Sequence, residues 1–436
     1  MNKLYSVIFM SVLLNETTFA DTFIVTHTSD PPPQVCEVDD CSLREAVKAA
    51  NNNSGTDTIL LQNETYALIL TGLDDAANVG DLDILDDLII QLVDASSTNL
   101  FTIESNVDDR VLDVHPGVDL TIHNGQIKGG DLSIQFLATN GGGIRVMNAS
   151  LFLNNSQIVS NLAKDDGGGI YAFQSIIQLE NTRIAENIAA EKGGGLMLVQ
   201  SQLQAENSTF ESNEATSGGG LYTDWLLANN QTNVRIFDSV FVTNDADFGG
   251  GLFGIDNVEV VNSTFSGNLA VADAAVKMNE GSLTMKYVTV IFNDAVDGVD
   301  VTVSDVVTGS IQNSIISGSC KILSGGGFES NGGNIESPGD TCEFGAAPQD
   351  LISINPRELY LDSNLAKNEG LTLNHAIRSP FSQAIGNAIV INEITTDQRS
   401  KPRDSMPDSG AIEALETDFT LIFKNDFELL EELSEE

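Results

Sequence analysis

The sequence predicts an all-β chain wound as a single-stranded parallel β-helix, a solenoid closed at its N-terminal end by a short capping helix. Three observations carry that expectation: Gly triplets recurring at a near-constant interval, apolar columns with two-residue alternation between them, and an Asn column late in each repeat. The triplets start at Gly141, Gly167, Gly193, Gly218 and Gly249, at spacings of 26, 26, 25 and 31 residues. Such a period belongs to solenoids, in which a repeat buries its apolar face only by stacking on its neighbours.

Each triplet is followed by an aliphatic residue, in the column Ile144, Ile170, Leu196, Leu221 and Leu252, which Val276 continues. A second column runs Leu120, Leu151, Ile177, Leu203, Val234, Val258 and Leu283, and a third, two residues on, Ile122, Leu153, Leu179, Ala205, Ile236, Val260 and Met285. Alternate side chains of a strand point to opposite faces, so these pairs are half-buried strands. A fourth column, Ile127, Ile158, Ile184, Phe210, Phe241, Phe265 and Val290, precedes by three residues Asn161, Asn187, Asn213, Asn244, Asn268 and Asn293. Gly130 stands in the same place one repeat earlier. Asn and Gly share a tolerance of left-handed backbone, so the Asn column is expected to be a tight turn, with amides stacked from coil to coil. A coil then holds about three short strands, and roughly eight coils make a rod about 40 Å long. A leucine-rich horseshoe lacks its helical segment here, and a β-propeller would need longer repeats with a Trp-Asp signature.

A solenoid must cover its open ends. Ser42 and Glu45 form a capping box, and Leu43, Ala46, Val47 and Ala50 share one face, so Cys41 to Asn52 is the expected N-terminal plug. Four cysteines suit two disulfides in an exported chain; three pairings are open, and local pairing, Cys36 with Cys41 and Cys320 with Cys342, is the expected one. Neither pair has a nearby His to complete a metal site.

Residues 1–20 carry Lys3, an apolar run from Leu4 to Leu14 and the close Thr18, Phe19, Ala20, the pattern of a cleavable secretory signal. No later stretch approaches eighteen apolar residues, so no transmembrane helix is expected in the mature chain. The expected organisation is a signal peptide at 1–20, a cap and first coils at 21–110, β-helix repeats at 111–320, a closing region at 321–415 and an acidic tail at 416–436. The 436 residues carry 20 Lys plus Arg against 63 Asp plus Glu, a formal net charge of −43 that excludes nucleic acid and anionic lipid as partners. At 41% hydrophobic the chain is too apolar to stay disordered.

From Cys41 the stretch CSLREAV resembles secreted bacterial CSLREA-domain, or choice-of-anchor-Q, proteins. DTFIVTHTSD after the signal, GTDTILL from Gly55, GDLDILDDLII from Gly80, GLTLNHAI from Gly370, DQRSKPR from Asp397 and DSGAIEA from Asp408 extend the likeness over nearly the whole mature chain. The coils are also similar to polymorphic outer-membrane-protein repeats, in Phe210 to Asn213 and Phe265 to Asn268. The resemblance implies a right-handed β-helix and export, and it brings no catalytic residue.

Enzymatic chemistry finds little support in the coils. A polysaccharide lyase needs a basic residue beside carboxylate-bound calcium, and Arg145, Lys164, Arg183, Lys192, Arg235, Lys277 and Lys286 occupy scattered columns. A glycoside hydrolase needs two carboxylates about 5–10 Å apart in a cleft. The histidines, His27, His115, His123 and His375, are dispersed, without nucleophile or ligand spacing, and no residue is assigned a catalytic role.

Two surface features point instead to binding. The column after the buried aliphatic one, Arg145, Tyr171, Met197, Tyr222, Phe253 and Lys277, should face outward, next to the long fourth repeat with Trp225, the only Trp. Tyr171, Tyr222, Trp225 and Phe253 are therefore the expected ligand-binding residues. Acids in the turns before the triplets, Asp165, Asp166, Glu191, Asp245, Asp247, Asp273 and Asp297, repel one another when stacked, and calcium at Asp165, Asp166, Asp245, Asp247 and Asp273 would relieve this. The expected function is an exported, surface-associated or secreted protein with an adhesive, ligand-binding or structural role. Its partner would be an extracellular glycan or a surface protein, and a carbohydrate-active enzyme on the same scaffold is the alternative.

Overall fold

The structure, a computed structural model, describes residues 20–135, 139–224, 233–304, 307–323, 327–344, 347–415 and 419. The stretch expected to be a signal peptide, 1–20, all but Ala20, and the expected acidic tail, 416–436, except residue 419, lie outside the described residues. The chain is a right-handed parallel β-helix. One complete coil runs Ile170–Phe173, Ile176–Glu180, Arg183–Ala185 and Ile188–Ala189 before the next begins at Leu196. Strands in these four positions form, in order around the coil, a first sheet of ten strands, a second of twelve, a third of eleven and a fourth of six. The coil thus has four strands where three were expected, because the segment after the Asn column pairs too, in pieces of two to four residues. Twelve strands in the second sheet also exceed the eight coils inferred from the Gly triplets and give a rod of roughly 50 Å at the usual strand spacing.

The apolar columns align in register: Ile144, Ile170 and Leu196 are partners in the first sheet, Leu151, Ile177 and Leu203 in the second, Ile158, Ile184 and Phe210 in the third. All are buried. Phe210, Phe241 and Phe265 stack along the rod with centroids 4.4 and 4.7 Å apart.

The Asn column is displaced by one residue from its expected role. The left-handed residues at that corner are Ser160, Glu186, Ser212, Thr243, Gly267 and Phe292. Each following Asn turns inward. Asn187 Oδ1 accepts from Asn161 N at 3.1 Å and Asn161 Nδ2 at 3.0 Å, while Asn187 Nδ2 donates to Ile158 O at 2.9 Å and Asn213 Oδ1 at 3.0 Å. The same exchange passes through Asn213, Asn244 and Asn268 to Asn293. A bent corner leaves main-chain groups facing the apolar interior, and one carboxamide satisfies both kinds. Gly168 shows how tightly coils approach, since a Cβ there would lie 2.5 Å from the carbonyl oxygens of Gly194 and Ile188.

At the N-terminal end, Leu43–Asn51 is the expected helix, with Ser42 and Glu45 exchanging capping bonds of 2.8 and 3.3 Å. The polar residue Arg44 is fully buried within it, paired with Asp30 at 2.7 Å and donating to Gly80 O and Asp81 O of the first coil at 2.8 and 3.0 Å. Disulfides join Cys36 to Cys41 and Cys320 to Cys342. At the other end, the chain beyond Pro356 folds back over the outer face of the third sheet. Gln398 takes Thr264 Oγ1 at 2.7 Å and donates to Ser239 O at 3.2 Å, and Ala411 N donates to Thr289 Oγ1 at 2.9 Å. Arg399 pairs with Asp397 at 2.9 Å, and Arg403 pairs with Glu413 at 3.3 Å while lying 3.7 Å from the Tyr287 ring centroid. The DQRSKPR and DSGAIEA stretches are thus the two halves of one buried ionic clasp.

Replacing Asn213 by Ala leaves Asn187 N without its acceptor in the interior, removes one of the two acceptors of Asn187 Nδ2 and takes the side-chain donor from Ile184 O. It should cost about 3 kcal/mol, read as a lower urea midpoint. Ser212→Gly, at the adjacent left-handed position (φ 52), should stay within about 1 kcal/mol of the parent.

Candidate ligand-binding face

The outward column of the first sheet is longer than its sequence pattern shows. In register it runs Asp83, Asp113, Arg145, Tyr171, Met197, Tyr222, Phe253, Lys277, Thr302 and Lys321. Asp83 and Asp113 belong to coils without Gly triplets; the matching trios Leu82-Asp83-Ile84 and Leu112-Asp113-Val114 are the signal that would have found them.

The aromatic part does point away from the core, but it is not an exposed stripe. Tyr222 and Phe253 retain 5% and 6% of their accessible surface and Met197 1%, while Tyr171 is half-buried. The physical reason is registry: side chains on adjacent parallel strands sit one coil apart, so planar residues use their faces on each other. Tyr222 and Phe253 stack with centroids 4.7 Å apart and planes 15° from parallel. Cations close the edges, Lys192 Nζ 5.0 Å from the Tyr222 centroid and Lys277 Nζ 5.7 Å from that of Phe253. Burial and Asp224 push the Tyr222 hydroxyl pKa up. Trp225 lies outside the described residues.

The acids expected to hold calcium are dispersed. Asp245 and Asp247 are exposed on a strand of the fourth sheet, Asp245–Phe248, Asp165 is half-buried, and Asp273 is buried with its carboxylate on Lys277 at 2.7 Å and on the Thr302 hydroxyl. No three of Asp165, Asp166, Asp245, Asp247 and Asp273 converge at ligand distance. Asp166 is unusual among them: burial pushes its pKa up to about 6 against the pull of Lys192, and its Oδ1 is buried without a hydrogen-bond partner. Lys192 itself bonds Asp224 at 3.2 Å. Asp166, Lys192 and Asp224 therefore edge the column beside Tyr171 and Tyr222.

A polar cluster that the sequence pattern did not bring together begins the column. His115 Nε2 lies 2.9 Å from Asp83 Oδ1 and 3.7 Å from Asp113 Oδ2, and among the described residues these three form the one group spaced to hold a metal ion. Asp113 is already gripped by Arg145 in a bidentate pair, Nε to Oδ1 and Nη2 to Oδ2, and Arg110 lies between Asp81 at 3.1 Å and Asp113 at 3.6 Å. The basic residues do converge on acids here, and His115 is not isolated, contrary to the sequence expectation. The hydrogen bond to Asp83 raises the His115 pKa, and burial together with Asp109 raises that of Asp81. With its own cations in place the cluster is an ionic knot at the end of the face. Elsewhere His375 bonds Ser266 Oγ at 2.8 Å, but both are buried beneath the back-folded segment and the other ring nitrogen meets the carbonyl of Asp362, a clamp and not a nucleophile pair.

No family model matches the chain, and no curated protein matches it. It is similar to the solved structure titled "Crystal structure of pectate lyase Pel9A", at 14% identity over 91% of this chain and 96% of that chain, with a TM-score of 0.46.

Because Asp166 holds its proton more tightly in the folded chain, its ionisation costs stability as pH rises from 3.8 toward about 6. Asp166→Asn should therefore raise the melting temperature at pH 7, with the gain shrinking as pH falls through that window, as followed by calorimetry across pH.

Proposed function

We propose that the protein is an exported, surface-associated or secreted β-helix of the CSLREA-domain, choice-of-anchor-Q kind that binds an extracellular glycan without turning it over. The organisation that goes with this reading is a signal peptide at 1–20, cap and first coils to 110, repeats to 320, a closing region to 415 and an acidic tail to 436. The observation that carries it is the position of Tyr171, a half-exposed ring on a rigid sheet between Arg145 and Met197, edged by Asp166, Lys192 and Asp224. A ring flanked by fixed donors and acceptors is what a sugar needs, an apolar face to cover and hydroxyls to satisfy. Tyr222 and Phe253 support that platform from the next coils, and Trp225 follows Asp224 directly in the chain. Two intrachain disulfides accord with an oxidising compartment. No described helix is long and apolar enough to cross a membrane.

A second reading, a carbohydrate-active enzyme at the same place, draws on one observation, the Asp166 carboxyl with its pKa near 6 and an unpartnered oxygen beside a lysine-bearing edge. Purified protein on a glycan array, with and without calcium and with the supernatant assayed for new reducing ends and unsaturated uronates, separates the two. Retained glycan without products is expected, and Tyr171→Ala should weaken retention at least about tenfold. Release of products would transfer the assignment to the enzyme reading, and unchanged retention by the variant would remove Tyr171 from the contact surface.

A further inference from the structure

The residue after each of eight consecutive strands of the second sheet, from Asp119–His123 to Thr308–Gln312, forms a column of its own: Asn124, Asn155, Asn181, Asn207, Asp238, Asn262, Tyr287 and Asn313, all with left-handed φ between 47° and 60°. These side chains stand at the corner leading to the third sheet. Toward the C-terminal end the column grips main chain. Asn262 Nδ2 donates to Thr396 O at 2.9 Å, Tyr287 Oη to Ile389 O at 3.1 Å, and Asn313 closes a two-way pair with Ile389, Nδ2 to its carbonyl at 2.7 Å and Oδ1 from its N–H at 2.8 Å. Asp238 belongs to the same contact, its carbonyl taking Thr372 Oγ1 at 2.8 Å. At the N-terminal end Asn124 Nδ2 holds the carbonyl of Ser97.

Between these two gripped stretches, three coils show the same column to a groove of about 520 Å³. Asn155, Asn181 and Asn207 line it together with Gln157, Arg183 and Thr209, and its ends are closed by Thr98 and Leu100 on one side and by Lys367, Leu371 and Leu373 on the other. Those end walls are the same loop and the same back-folded segment whose main chain the column holds elsewhere. Asn181 Oδ1 and Asn207 Oδ1 are buried without a hydrogen-bond partner. Asn155 is engaged sideways, donating to Asn154 Oδ1 at 2.8 Å.

We propose that this groove is a docking site for a polypeptide segment of another protein, seated by its main chain on Asn181 and Asn207. The continuity of the column argues for it, since the chemistry that takes a carbonyl and an N–H at Asn313 is repeated, unfilled, two coils in a row. Turned outward as it is at Asn313, each carboxamide offers its oxygen to an N–H donor and its nitrogen to a carbonyl, the pair that a secondary amide supplies, and relieves an oxygen that is otherwise buried without a partner. The charge of the site selects among peptides. Arg183 is neutralised by Glu186 and Glu211 at 3.2 and 2.7 Å, and the exposed Glu180 and Glu206 directly precede Asn181 and Asn207, on a chain of net charge −43, which favours a neutral-to-basic segment. It disfavours this chain's own residues 416–436, which carry eight carboxylates and one Lys. The site is separate from the first-sheet face, and failure of the glycan reading leaves it standing.

Panning the purified full chain with a phage-displayed library of random peptides, followed by fluorescence polarisation of the enriched sequences as labelled synthetic peptides, tests it. The discriminating variant is Asn181→Gly with Asn207→Gly, because glycine accepts the left-handed backbone and the fold, checked by thermal melting, is kept. Neutral-to-basic peptides should be enriched, and the double variant and N-methylation of the peptide main chain should each weaken them at least about tenfold. No enrichment, or equal affinity for the double variant, overturns the proposal. So does binding of N-acetylglucosamine oligomers in place of peptides, or peptide binding that emerges only once residues 416–436 are deleted.

Discussion

The whole rod depends on the way one corner of the coil is satisfied. Where the third sheet gives way to the fourth, the chain must bend with its main-chain groups facing a buried, apolar interior. The inward Asn at that corner answers the donors of the coil before it and reaches both a carbonyl and the next amide. Because each amide is oriented by its neighbours on both sides, the spacing of every coil is fixed by the two beside it. Hydroxyl ladders such as Ser208 N to Ser239 Oγ at 3.0 Å and Ser239 N to Ser263 Oγ at 3.1 Å repeat the device at the preceding corner.

Once the spacing is fixed, like residues are forced on top of like, and the character of each outer face follows. Aromatic rows consume their own ring faces, as at Tyr222 and Phe253, and some acidic rows are interrupted by a cation, while the exposed neighbours Glu180 and Glu206, and Glu214 and Asp245, stack without one. Arg145 above Asp113 and Lys286 beside Glu259 are such interruptions. The third sheet's outer face shows the same economy. It is polar where open, with Gln126 bonded to Gln157 and Arg183 to Glu211, and turns to Val240, Ile291 and Ile315 where the returning chain covers it.

Much of the fold was legible because solenoid physics repeats in sequence: Ile170, Ile177 and Ile184 recur one period on as Leu196, Leu203 and Phe210, and all six are buried. What failed was geometry finer than a period. Asn and its neighbour share the corner, and only the backbone reveals that Ser212, not Asn213, takes the left-handed conformation. The candidate site was legible in position and not in accessibility, since alternation assigns Tyr222 to the outer face but says nothing about what neighbouring coils lay over it. Asp83, Asp113 and His115 escaped because their coils have loops of irregular length and no triplet to mark the period.

The returning segment gives the molecule a direction in time. Gln398 bonds to a carbonyl 159 residues earlier, and Asn262 and Arg403 meet across 141. Contacts of that separation form only after the coils they rest on are in place, whereas coil-to-coil pairing joins residues about one period apart and can propagate from the capped end. A chain emerging N-terminus first would therefore assemble as a growing rod and become latched by its last-made part. Unwinding from the C-terminal end must first release that latch, so the buried clasp of Arg399, Arg403 and Glu413 stands between the folded rod and the loss of its last coils.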